Sequence, residues 1–167
     1  MIENSKIGND TLISSSQIYD SVVGDGVRIG PYSHLRPNSN LADKVKVGNF
    51  VEIKNSNVGE KTSVAHLTYI GDTDMGARVN VGCGCVMVNY DGFRKFRTVV
   101  EDDCFIGCNT NLVAPVTVKK GAYTAAGSTI TKEVPENGLG VARAKQRNID
   151  NWATNYNEKN AQYKKKK

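Results

Sequence analysis

Residues 23–53 read VGDGVRIGPYSHLRPNSNLADKVKVGNFVEI, with an aliphatic residue on every sixth position: Val23, Ile29, Leu35, Leu41, Val47 and Ile53. A period of six belongs neither to an α-helix, at about 3.6, nor to a half-buried strand, at about 2. Working outward, the step resumes after one dropped residue at Val58, Val64 and Ile70, and after another at Met75, Val81 and Met87. An interruption follows, and Val100, Ile106, Leu112, Val118, Thr124 and Ile130 carry the step on. Four places after the aliphatic stands a small or β-branched residue, from Val27 and Ser33 to Ala122 and Ser128, and a glycine often follows directly, as at Gly24, Gly48 and Gly82. This is the hexapeptide repeat of a β-helix, in which three short strands make a triangular coil and coils stack. Two inward side chains per hexad, one large and one small, fill the prism, and the glycines are expected to turn its corners.

Before Val23 the pattern persists at Ile7, Ile13 and Ile18, so the chain is expected to begin inside a solenoid. After Ile130 it stops at Val134-Pro135, and Ile149, Trp152 and Tyr156 fall at helical spacing. The expected organisation is therefore an all-β parallel β-helix over 1–134 with a loop excursion at 88–99. An extension over 135–167 carries a short helix packed on the prism and a lysine-rich tail, mobile beyond about 158.

An aromatic content of 7% suits a core of Val, Ile and small residues. No apolar run is long enough to span a membrane and none behind the N-terminus resembles a signal peptide, so a cytoplasmic protein is expected. The net charge of +5 gathers in the C-terminal quarter. A β-helix offers no groove-reading element, so nucleic acid is not the expected partner.

The register sorts the polar residues. Cys85 and Cys104 hold the small inward position, while Cys83 and Cys108 point outward and match no zinc motif. One outward column runs Pro31, Asn49, His66, Cys83, Cys108, Ala126; histidine, with an ordinary pKa of about 6.5, suits a general base. In a second column Arg36 lies one coil, about 4.8 Å, from Lys54, which marks an anion site with phosphate the leading candidate. Glu52 is expected to point to another face. The interruption NYDGFRKFRT, residues 89–98, is a loop on a rigid scaffold, where function concentrates.

The segments LRPNSN (35–40), VGNFVEIK (47–54), HLTYIGD (66–72), NVGCG (80–84), NYDGFRKFRT (89–98), LVAPVTV (112–118), AAGSTIT (125–131) and VARAKQR (141–147) are specific. They resemble the C-terminal acetyltransferase domain of the bacterial bifunctional N-acetylglucosamine-1-phosphate uridyltransferase / glucosamine-1-phosphate acetyltransferase. The resemblance implies a left-handed β-helix and transfer of acetyl from acetyl-coenzyme A to glucosamine 1-phosphate, a step toward UDP-N-acetylglucosamine and the cell wall, with no metal needed. His66 matches the family's proton acceptor. Arg36, Lys54, Tyr69, Asn80 and Lys95 match its sugar-phosphate residues, and Cys83, Asn89, Tyr90, Cys108, Ala126 and Arg143 its acetyl-coenzyme A contacts. It further implies a homotrimer with sites between subunits, the loop completing a neighbour's site. No glycine-rich nucleotide loop is present, so uridyl transfer is not expected of this chain. Another hexapeptide-repeat acyltransferase and a non-catalytic scaffold are the alternatives.

Overall fold

The computed structural model describes residues 1–163. Each coil takes three strands: Glu52–Lys54 leads to Asn57–Val58, then to Ser63–His66, and Tyr69–Gly71 begins the next coil above Glu52–Lys54. The walls are parallel sheets of eight, seven and eight strands, here the first, second and third. Registry places aliphatic on aliphatic: Leu35, Ile53 and Ile70 stack in the first sheet, Leu41, Val58 and Met75 in the second, Val47, Val64 and Val81 in the third. Every large inward residue from Val23 to Ile130 is buried, and so is the small series from Val27 to Ser128. Such a residue contributes roughly 1.5–3 kcal/mol on burial, so the repeat itself is the source of stability. The architecture is a left-handed parallel β-helix.

Glycine turns some corners as expected, as at Gly84 and Gly127, both with φ of 74°, but many are turned by other residues. Between the first and second sheets stand Asn38, Asn55 and Asp72, with φ of 63°, 47° and 49°. Between the third and first stand Tyr32, Phe50 and Leu67, also left-handed. Glycine after the aliphatic serves another purpose: a Cβ on Gly48 would lie 1.9 Å from the Ala65 carbonyl oxygen on the next coil. It is glycine because the adjacent backbone passes too close for a side chain.

The ladder continues past the expected boundary, since Val134 bridges to Val118 and strand Leu139–Gly140 joins the third sheet beside Tyr123–Thr124. Helix Trp152–Lys159 then forms but buries none of its residues, so it does not pack on the prism as expected. Its aromatic pair is instead satisfied locally, with the Trp152 and Tyr156 rings stacked 4.9 Å apart, one turn along the helix. The expected lysine tail, 164–167, lies outside the described residues. Among the described residues no helix is long and apolar enough to cross a membrane.

Candidate active site

The loop leaves the first sheet at Val88 and re-enters the second at Thr98. Asp91 accepts hydrogen bonds from the Phe93 and Arg94 amides at 2.8 and 2.6 Å, and Tyr90 bridges to Lys95, so the excursion is a small ordered turn. It lies against its own prism. Arg97 forks onto Asp74, with Nε and Nη2 donating at 2.9 and 2.6 Å, and a third hydrogen bond reaches the Asn55 carbonyl at 3.2 Å.

That docking closes a cleft of about 600 Å³ at the corner between the first and second sheets. Its lining includes the cations Arg36, Lys54, Lys95 and Arg97, with Asp72 the carboxylate among them. Arg36 and Lys54 do stack on adjacent coils, as the register of their strands requires. Each also has an acid partner. Arg36 donates to Glu52 at 2.8 Å, and Lys54 Nζ lies 3.6 Å from Asp72 Oδ2. Glu52 therefore shares the outward face of the first sheet with Arg36; residues two apart on a strand face the same way, which corrects the expectation that it points elsewhere. The hydrogen bond that Arg36 donates to Glu52 raises Arg36 above the ordinary arginine range.

Asp72 is buried, at 4% exposure. Burial alone would push its carboxyl up, but hydrogen bonds from Asn55 and Asn89 and the charge of Lys54 outweigh it and hold Asp72 below the usual carboxylate range. Asn89, the first loop residue, is buried beneath the loop; its side-chain amide donates to Asp72 and, at 3.4 Å, to the Tyr69 hydroxyl. The Tyr69 phenol lies across Gly71, where a Cβ would be 2.3 Å from its hydroxyl. Thus Arg36, Lys54, Tyr69, Asn89 and Lys95 converge in one chain.

The second group lies at the opposite edge of the first sheet, on the corner shared with the third. His66 pairs with Asn49, and the amides of Gly84, Asn109 and Gly127 bond the carbonyls of His66, Cys83 and Cys108, so His66, Cys83, Cys108 and Ala126 occupy successive coils. His66, Cys108 and Ala126 are exposed and Cys83 is half-buried. The His66 carbonyl also accepts from the Thr68 hydroxyl at 2.7 Å, which fixes the backbone carrying the imidazole. At the far end Arg143 Nη1 donates to the Ala126 carbonyl at 2.8 Å. Two predicted residues stand apart from both groups: Asn80 is exposed on the third sheet beside Ser63 and Phe105, and Tyr90 is exposed on the loop with its hydroxyl turned to the Gly92 carbonyl. Sequence reasoning missed Glu52, Asp72, Asp74 and Arg97. The signal was available for Asp72, because it holds a corner where the coils below place asparagine.

A family model of the bacterial transferase hexapeptide (six repeats) matches residues 20–55. The chain is 59% identical over 149 residues to the bifunctional protein GlmU of Clostridium perfringens, covering 89% of this chain and 33% of that protein. It is 60% identical over 151 residues to the GlmU of Caldicellulosiruptor saccharolyticus, covering 90% and 33%. Among solved structures, a point mutant of perosamine N-acetyltransferase from Caulobacter crescentus, in complex with CoA and GDP-perosamine, aligns with a TM-score of 0.62 at 20% identity, over 72% of this chain and 57% of that one. At that identity the likeness shows the fold. The chain therefore carries a hexapeptide-repeat β-helix of the kind found in bacterial transferases. It spans about a third of the length of these GlmU proteins and is similar to their C-terminal part.

Proposed function

We propose that this chain transfers acetyl from acetyl-coenzyme A to the 2-amino group of glucosamine 1-phosphate, in the cytoplasm, giving N-acetylglucosamine 1-phosphate for UDP-N-acetylglucosamine and cell-wall precursor synthesis. The observation that carries the reading is the outward face of the first sheet, with a cationic cleft at one edge and His66 at the other. The four residue steps from Leu67 to Gly71 separate these edges by about 13 Å of extended chain, a span that a sugar phosphate and two side chains can bridge.

In this reading Arg36, Lys54 and Lys95 hold the phosphate dianion, and Tyr69 meets the sugar. His66 takes the proton that the amine must lose before its nitrogen attacks the thioester, a role that typically contributes about 10²- to 10⁴-fold. The ladder uses the Gly82 and Gly84 amides, to the Ile106 and His66 carbonyls, but not the Cys83 N–H between them. That N–H is the proposed donor to the developing oxyanion. Cys83, Cys108 and Ala126 make a strip of small residues for the pantetheine arm that begins beside His66 and ends three coil steps, about 14 Å, from it, with Arg143 at its end for phosphate. Asn89 faces Asp72 and Tyr69, so its proposed place moves from acetyl-coenzyme A contact to the floor of the sugar site. Asn80 and Tyr90, outside both groups in a single chain, are assigned to contacts across a homotrimer.

Incubation with acetyl-coenzyme A and, separately, glucosamine 1-phosphate, glucosamine and serine, with released coenzyme A quantified by chromatography, tests the reading. Fast release is expected with glucosamine 1-phosphate. Preference for serine would point to another acyltransferase, and no release with any acceptor would leave a scaffold.

A further inference from the structure

We infer that Asp72 is a positioning residue for the acceptor phosphate, tying Lys54 and both ends of the loop that carries Lys95 to one buried point. The inference rests on the proposed acetyl transfer to glucosamine 1-phosphate.

Five bonds converge on this residue. Its side chain accepts from Asn55 and from Asn89 and pairs with Lys54 at 3.6 Å. Its amide donates to the Lys54 carbonyl at 3.0 Å, and its own carbonyl accepts from the Thr98 amide at 3.1 Å. Asn89 opens the loop and Thr98 closes it, so the entry, the exit and the lysine on the coil below are fixed together.

The corner itself does not require a carboxylate. Asn38 and Asn55 take the same left-handed turn on the two coils below. What changes at the third coil is the surroundings: Lys54 stands within reach of Arg36 and Lys95, with Arg97 on the same lining. A free lysine there has four rotatable bonds and like-charged neighbours, and it would swing away from them unless held. Asp72 holds it from behind, on the side away from solvent, which leaves the remaining ammonium hydrogens for an incoming phosphate. Glu52 holds Arg36 on the outer side and Asp74 holds Arg97, so Asp72 is the acid fixing Lys54 and the loop base.

This role predicts a sign opposite to simple charge attraction. Asp72→Asn removes a negative charge from a phosphate site. Were Asp72 only a nearby charge, the variant would favour the phosphorylated acceptor more than before. Were it only scaffolding, glucosamine and glucosamine 1-phosphate would lose kcat/KM in equal proportion. As a positioning residue it leaves the corner intact but frees Lys54 and the loop base, so the preference for glucosamine 1-phosphate over glucosamine should fall about tenfold or more, with the loss mainly in KM for the phosphorylated acceptor.

The experiment measures both kcat/KM values for the unaltered chain and for Asp72→Asn, with calorimetric titration of glucosamine 1-phosphate alongside. A raised or unchanged preference overturns the proposal. An unaltered chain that acetylates neither acceptor sinks the proposed function instead, and the calorimetric arm then decides Asp72 by itself, weaker binding in the variant being required. Should Asp72→Asn fail to fold, Asn55→Gly, which keeps the left-handed corner while freeing one oxygen of Asp72, carries the test. It is expected to lower the preference a few-fold, and no change would overturn the inference.

Discussion

Lys95 of the loop sits against Lys54 of the prism, and the neighbouring ammonium holds Lys95 below the ordinary lysine range, with Asp72 opposing the effect in part. Two ammonium groups facing each other repel unless an anion lies between them. A phosphate between them stabilises the charged form of Lys95 and raises its pKa toward the ordinary value.

Binding of glucosamine 1-phosphate at pH just below the ordinary lysine range should therefore take up protons. The affinity should fall as pH rises through the depressed Lys95 pKa, because above it the free protein must gain a proton to bind. Calorimetry in buffers of different ionisation enthalpy reads the uptake directly. Lys95→Ala should remove most of it; proton release on binding by the unaltered chain would contradict the arrangement.

His66→Ala should lower turnover at least about a hundredfold while leaving the melting temperature unchanged within error, since the imidazole is exposed and supports no core. Near-normal turnover at neutral pH would remove His66 from its assigned role.

Arg36 and Lys54 should separate in stability although both serve phosphate. The Arg36–Glu52 pair is about two-fifths exposed on both sides, so Arg36→Ala should cost under about 1 kcal/mol. Lys54 and Asp72 are 18% and 5% exposed, and Lys54→Ala leaves a buried carboxylate short of a partner, at a cost of about 1–3 kcal/mol. The pH dependence follows from the lowered pKa of Asp72: its contribution is present above the unfolded carboxylate pKa and is lost as pH falls through the folded one. Removing Lys54 takes away one of the lowering influences and leaves burial, so acid unfolding should begin at higher pH. Equal melting curves for the two variants would show that Asp72 does not depend on Lys54. Both should raise KM for glucosamine 1-phosphate well above any change for acetyl-coenzyme A.

The fold was legible because the inward positions of a narrow prism accept little but one large and one small residue, so Ile53, Ile70 and Thr68 declare their burial in the one-dimensional pattern. The outward columns followed from the same count, and His66, Cys83, Cys108 and Ala126 stand where it put them. What the count could not supply was contact between side chains at a corner. Glu52 and Arg36 lie sixteen residues apart, and Asp74 and Arg97 twenty-three. The first pair needs the side chains of neighbouring coils to meet, and the second depends on where an irregular loop lands. The helix was read from spacing alone, but Trp152 and Tyr156 share a face with each other as readily as with a prism, and spacing does not distinguish the two.

Gly48→Ala should be among the most damaging single changes. Its Cβ would fall 1.9 Å from the Ala65 carbonyl oxygen, a backbone atom that cannot move without parting the Lys46–Asn49 and Ser63–His66 strands. Overpacking of this kind costs about 1–3 kcal/mol when side chains can yield, and more when backbone must. Gly92, with nothing within 4 Å of its Cβ, is the control for space, although its φ of 98° still disfavours alanine. A Gly48→Ala chain as stable as Gly92→Ala would mean that the coils are spaced more loosely than this.

The cysteines test the corner column itself. All four are free, and Cys108 is exposed, Cys83 half-buried, Cys85 and Cys104 buried. Burial pushes the Cys85 thiol up to about 11 and raises Cys104 as well, each against hydrogen bonds from nearby amides. At pH 8 a thiol of pKa about 11 is ionised in roughly one molecule in a thousand, and inside the prism no reagent reaches it. Iodoacetamide should therefore label Cys108 first and Cys83 next, with Cys85 and Cys104 silent until the chain unfolds. Because the two outward thiols stand on adjacent coils one and two steps from His66, adducts there should fill the strip proposed for the acetyl thioester and abolish activity. Acetyl-coenzyme A should protect both, and a Cys83→Ser, Cys108→Ser chain should stay active and resist the reagent. Early labelling of Cys85 or Cys104, or full activity after both outward thiols are modified, would break the link between this column and acetyl transfer.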